Sequence, residues 1–144
     1  MTDADRLARR IAETMLMQEG TGPAWGVDLE EVREGYARVA MTIRPDMLNG
    51  HGIVHGGMVF ALADTAFAYA CNSRNQTSVA QQASIAFLSV AREGERLVAV
   101  AEEQALAGRS GVTQVTVHTK DGRAVAIFTG LSRAVGGQVI EDNP

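Results

Sequence analysis

Residues 56–72 constrain the fold of this chain more than any other stretch. The run GGMVFALADTAFAYACN sets Met58, Val59, Phe60, Leu62 and Phe67 among alanines at 61, 63, 66, 68 and 70. A helix drawn through it is apolar nearly all round and must be buried on all sides. It is not a membrane span: Asp64 interrupts the run, which falls short of the ~20 residues a bilayer requires. Something else in the chain has to wrap it.

The wrapper is predicted to be antiparallel strands. Four extended runs follow the helix, at about 78–90, 95–106, 110–119 and 123–133, with Val79, Ile85 and Phe87 alternating in the first and Val115 and Val117 in the third. The turns between them carry Glu93-Gly94, Gly108 and Asp121-Gly122, the last a two-residue hairpin signal. A twelve-residue strand reaches roughly 40 Å, long enough to curl around a helix. Upstream, residues 4–19 repeat Leu7, Ile11, Met15 and Leu16 at helical spacing, and Gly20, Gly22 and Pro23 end that helix. Two short strands follow: Val27, Leu29 and Glu31 alternate with Asp28, Glu30 and Val32, and Val39, Met41 and Ile43 alternate with Arg38, Ala40 and Thr42. The expectation is an α+β fold in one domain. Residues 1–23 form an N-terminal helix and linker, 24–134 the main body, and 135–144 a loose tail.

Composition excludes several classes. A chain of 144 residues with 46% hydrophobic and 21% charged residues is globular and makes a single domain. Its net charge of −4 leaves no excess of cations to displace counterions from nucleic acid. The first ten residues carry Asp3 and Asp5 and no apolar stretch, so they are not a secretory signal. One cysteine, Cys71, permits no intramolecular disulfide, which points to a reducing, cytoplasmic setting. No membrane and no nucleic-acid partner are expected.

Chemistry concentrates around the helix start. Asp64 is the only ionised side chain between His55 and Arg74. A carboxylate in a buried helix either binds a backbone amide on an exposed sliver or acts on water or a substrate proton in a pocket. The segment 46–57, DMLNGHGIVHGG, is shaped by glycine. His55-Gly56-Gly57 opens the helix where free N–H groups meet the positive dipole end, so it is either a simple turn or a site for an anion or oxyanion. Asn49 is a turn former or a water holder. His51 and His55 have metal-ligand spacing, but the surrounding glycines argue against the helix such a pair needs. Cys71 has no flanking base and reads as packing. Ser84 and Ser110 lack a nucleophile-elbow context. Met47, Met58, Phe60 and Phe67 suit either an acyl pocket or the core.

Taken together, these residues resemble the hotdog-fold acyl-CoA thioesterases, and within them the phenylacetic-acid-degradation group. The resemblance is carried by N-G-H-G-I-V-H-G-G-M-V-F-A-L-A-D-T-A at residues 49–66. It continues through Ala83-Ser84-Ile85-Ala86-Phe87-Leu88, Gly94-Glu95-Arg96-Leu97, Gly108-Arg109-Ser110 and DGRAVAIFTG, and spans about residues 5–134. It implies a hotdog fold, a long central helix wrapped by a curved antiparallel β-sheet, here with an N-terminal helix. It also implies an acyl-CoA substrate, aromatic and of phenylacetyl or hydroxyphenylacetyl type, and a homotetramer built as a dimer of dimers with active sites between subunits. No cofactor and no metal are implied.

Carried over, Asp64 is the general base or nucleophile and Gly56 polarises the thioester carbonyl through its backbone N–H. Asn49 helps hold the lytic water, and His55 supports the loop and the carbonyl site. Gly57, Gly108, Arg109 and Ser110 contact substrate, the last three near the CoA phosphates. Two alternatives stand beside this. A hotdog hydratase or dehydratase would need a His and a carboxylate as an acid/base pair, and the proline-rich loop associated with that branch is missing. A non-catalytic acyl-CoA sensor would need a DNA-reading module, and residues 1–23 hold one short helix.

Overall fold

The computed structural model describes residues 1–141. In chain order the elements are α1 (Asp3–Gln18), α2 (Thr21–Trp25), β1 (Asp28–Arg33), β2 (Tyr36–Thr42), a 3-10 turn (Pro45–Met47), α3 (Gly56–Cys71), β3 (Ser78–Phe87), β4 (Arg96–Ala107), β5 (Ser110–Thr119) and β6 (Ala124–Ala134). All six strands join one antiparallel sheet in the order β1-β2-β4-β5-β6-β3. Helix α3 lies across its inner face, against Val39, Ala99, Val115 and Phe128. The α+β architecture expected from the hydrophobic pattern is present.

The wrapping is less complete than an all-apolar helix demands. Val59, Leu62, Ala63, Ala66, Phe67, Tyr69 and Ala70 of α3 are buried, while Ala61, Asp64, Thr65, Ala68 and Cys71 form a half-exposed stripe. One sheet covers one side of a helix, and α1 supplies only part of the rest. A tight contact explains one glycine: a Cβ at Gly130 on β6 would lie 2.4 Å from Phe67, so the ring sits directly on the strand backbone.

Several local expectations are corrected. The short helix α2 occupies the segment that glycines and Pro23 were expected to leave as linker. In β1 a bulge between Leu29 and Glu31 breaks the simple alternation, so Val32, two positions on, turns into the core. Asp121-Gly122 is not a two-residue hairpin but part of a four-residue loop between Thr119 and Ala124. There the Thr119 hydroxyl binds both Asp121 and the Arg123 amide. The two-residue connection is Gly108-Arg109, where Ala107 pairs with Ser110 and Gly108 takes a φ of +61°. The tail is tied down as far as Ile140, with Val135 N–H donating to the Thr77 carbonyl at 2.8 Å and the amides of Val139 and Ile140 donating to Asn75. The rest of the expected loose tail, residues 142–144, lies outside the described residues.

Candidate active site

The loop before α3 is built on Asn49. Its Oδ1 accepts from the amide of His51 at 2.9 Å and, more weakly, from that of Ile53 at 3.4 Å. Its own N–H donates to the Ile53 carbonyl, and Leu48 bridges Val54. This is an Asx turn, so the turn-forming role of Asn49 is real. It also leaves the Nδ2 amide as the donor Asn49 can offer to a ligand.

His55 caps α3. Its N–H donates to the Met47 carbonyl, its carbonyl accepts from Met58, and its Nδ1 accepts from Gly57 N–H at 2.8 Å. With Nδ1 accepting, Nε2 is the nitrogen left to donate, on an exposed side chain. The amides of Gly57, Met58 and Val59 thus all have partners at His55, while Gly56 N–H has none among the described residues. The helix begins with one open donor, and it belongs to Gly56.

Gly56 lines a cavity of about 190 Å³ together with Asn49, Ile53, Val54, Val59, Phe87 and Val125 among others. The Phe87 ring packs against Gly56: a Cβ there would meet it at 3.1 Å. Phe87 is a site residue that sequence reasoning missed. Its alternation with Ile85 marked it as strand, but nothing in the pattern brings the end of β3 to the start of α3.

Asp64 is elsewhere. Eight residues at 1.5 Å each separate it from Gly56 by about 12 Å along one helix, and it does not line this cavity. Its carboxylate has no hydrogen-bond or ion-pair partner among the described residues, and burial raises its pKa above the ordinary 3.8. The backbone-amide alternative for Asp64 is thereby absent from the structure. Cys71 lies further along the same stripe. Burial first, and the Asp64 charge second, push its thiol up to about 12, so it is a packing group rather than a nucleophile.

Gly108 and Arg109 sit beyond the other end of α3, beside Cys71 and Arg74. Ser110 opens β5 next to them. The structure therefore brings Asn49, His55 and Gly56 together, with the Gly57 amide occupied by the cap. It leaves Asp64 two turns away and the Gly108–Arg109 turn more distant still. Among the described residues, no three His, Cys, Asp or Glu side chains converge as a metal site, and no helix is long and apolar enough to cross a membrane.

Comparison with known proteins identifies the family. The model of the thioesterase superfamily matches residues 51–126, from the Asx-turn loop to β6. The chain belongs to the thioesterase superfamily. It is 39% identical over 128 residues to the acyl-coenzyme A thioesterase PaaI of Escherichia coli, covering 89% of this chain and 91% of that protein. The solved structure of the E. coli PaaI protein from the phenylacetic acid degradation operon superposes with a TM-score of 0.92 at 38% identity, over 94% of this chain and 99% of that one. A hypothetical thioesterase of Streptococcus pneumoniae, solved with coenzyme A, matches at a TM-score of 0.75 and 25% identity, over 78% and 90% of the two chains. The fold is the hotdog fold that the sequence resemblance implies, and the chain is an enzyme of the thioester hydrolase class.

Proposed function

We propose that the protein hydrolyses acyl-CoA thioesters, with an aromatic acyl group of phenylacetyl or hydroxyphenylacetyl type, and that each active site is shared by two chains. One observation carries this: Gly56 offers the one open amide at the start of α3, and the unpaired Asp64 lies about 12 Å along the same helix, out of reach of a carbonyl held there. A second chain with its α3 antiparallel brings its Asp64 to the first chain's Gly56. Strand β3 supports such pairing. It is a sheet edge whose Val79 and Phe87 are 48% and 55% exposed, a surface suited to a second copy. Pairing of two such dimers would give the tetramer. The lone cysteine fits a cytoplasmic setting.

In the reaction, the thioester oxygen accepts from Gly56 N–H, with Asn49 Nδ2 donating to the water or the oxyanion. Asp64 removes the proton as the water oxygen bonds to the carbonyl carbon. The tetrahedral intermediate collapses with cleavage of the C–S bond, and the thiolate leaves and takes up a proton. If Asp64 instead attacks the carbonyl carbon directly, the C–S bond breaks with loss of the thiolate, and water cleaves the resulting mixed anhydride to the free acid and the regenerated carboxylate. The apolar walls Ile53, Val59, Phe87 and Val125 suit a compact acyl group. A cavity of this size is smaller than the ~300–1,000 Å³ typical of larger ligands.

The test is thiol release from a panel of phenylacetyl-, hydroxyphenylacetyl- and aliphatic acyl-CoAs. Turnover is expected with the aromatic thioesters and should survive a chelator. Water addition or loss without thiol release would identify a hydratase, binding without turnover a sensor, and activity lost to chelation and restored by a divalent ion would return His51 and His55 to consideration. Arg109→Ala is expected to raise KM for acyl-CoA more than it lowers kcat, because a remote phosphate contact is similar in ground and transition states. An unchanged KM at low salt would remove Arg109 from the site.

A further inference from the structure

Three segments meet beyond the C-terminal end of α3: the α3–β3 loop, the β4–β5 turn and the chain leaving β6. Between them lies a cavity of about 380 Å³ lined by Gln76, Gly108, Arg109, Ala134, Gly136 and Gly137. Arg109 is the charged residue of this lining. It has no ion-pair partner among the described residues, whereas Arg6, Arg9, Arg38, Arg74, Arg96 and Arg123 each hold a carboxylate. In a chain of net charge −4, an arginine without a carboxylate on the lining of an open cavity is a local positive charge.

One wall of this cavity is the segment after β6. Gly136 and Gly137 have φ of +94° and +88°, a backbone with little stiffness of its own. What anchors it is Asn75. This residue is 6% exposed and, at φ +63°, is the one non-glycine in the left-handed region among the described residues. Its Oδ1 accepts from the amides of Val139 and Ile140, both at 3.0 Å, and its Nδ2 donates to the Ile140 carbonyl at 2.9 Å. Thr77 N–H adds a bond to the Gly137 carbonyl at 3.1 Å. A buried amide with all three of these bonds directed at one tail is a clamp.

We propose that Asn75 is a positioning residue that fastens the tail at Val139 and Ile140 and so holds Gly136 and Gly137 as a wall of an anion cavity taking the phosphorylated end of the CoA thioester. It rests on the CoA reading above. Asn75 touches no substrate and acts through the tail it fastens.

Asn75→Gly removes the three side-chain bonds and relieves the left-handed backbone. The expected result is a KM for phenylacetyl-CoA raised roughly tenfold, the scale of about one net hydrogen bond, with kcat unchanged. Calorimetric affinity for free CoA should fall by the same factor. The S-phenylacetyl thioester of N-acetylcysteamine, which carries no phosphate, should keep its kcat/KM. A chain ending at residue 137 should reproduce the KM increase without touching the α3–β3 loop, and it decides the matter if Asn75→Gly fails to fold. Unchanged KM and CoA affinity in the shortened chain, or equal losses on both thioesters, would overturn the proposal. Failure of the CoA reading itself shows separately, as a wild-type protein that neither binds nor cleaves CoA thioesters, and it overturns the proposal through its premise.

Discussion

Asp64→Asn is expected to lower kcat by about 10²–10⁴-fold, the usual range for a general base, while the protein stays folded. The amide keeps the shape of the carboxylate but cannot take a proton or attack a carbonyl. Its effect on stability should have the opposite sign. Burial raises the Asp64 pKa in the folded protein above its ordinary 3.8. Between the unfolded and folded values the native state therefore binds the proton more tightly, and stability falls as pH rises through that window. At neutral pH the ionised, unpartnered carboxylate weakens the fold, so Asp64→Asn should melt at the same temperature as wild type or higher. The difference should shrink below the ordinary Asp range, where both states are protonated. In the pH–rate profile, the acid limb should lie above the range of an exposed aspartate. Melting curves and kcat across pH check both signs. A near-normal kcat would reduce Asp64 to a structural group.

Gly56→Pro should cost about 10²–10³-fold in kcat, the effect of losing one oxyanion donor. Proline at the first helical position removes only an amide that has no partner within the helix, and His55, at ψ 133°, already has the extended backbone that precedes proline. The added Cβ would press on Phe87, which is more than half exposed and able to move. Gly56→Ala adds the same Cβ and keeps the N–H. Comparing the two isolates the amide: activity retained in Gly56→Ala and lost in Gly56→Pro assigns the effect to the donor, whereas equal losses assign it to crowding.

Much of the fold was legible because burial leaves a period in the sequence. The alternation of Val115 with Val117, and the unbroken apolar run around Leu62 and Phe67, report which faces meet a core. They do not say which molecule provides it. The half-exposed positions Ala61 and Ala68 and the open edge at Val79 and Phe87 therefore looked, in sequence, like ordinary interior, while Asp64 between them stood out by its charge alone. Bulges escape for a related reason: one extra residue in β1 moves Val32 to the other face without changing composition. At the site, the residue types around Asn49, His55 and Gly56 were readable, but their hydrogen-bond states were not. That the Gly57 amide is occupied and the Gly56 amide open depends on where one imidazole nitrogen points. The Asn75 clamp was illegible for the same reason, since an asparagine in a polar loop reads as a turn and its partners lie 64 and 65 residues away.

The shared site is tested most directly by mixing two inactive proteins. Asp64→Asn and Gly56→Pro chains, co-expressed in equal amounts, assemble at random. In a two-fold dimer each mixed pair holds one site with both Gly56 and Asp64 intact and one with neither, so about a quarter of wild-type thiol release should return. Activity no higher than the average of the two separate mutants, in a preparation shown to contain mixed dimers, would contradict a thioester held at one chain's Gly56 and attacked under the partner's carboxylate.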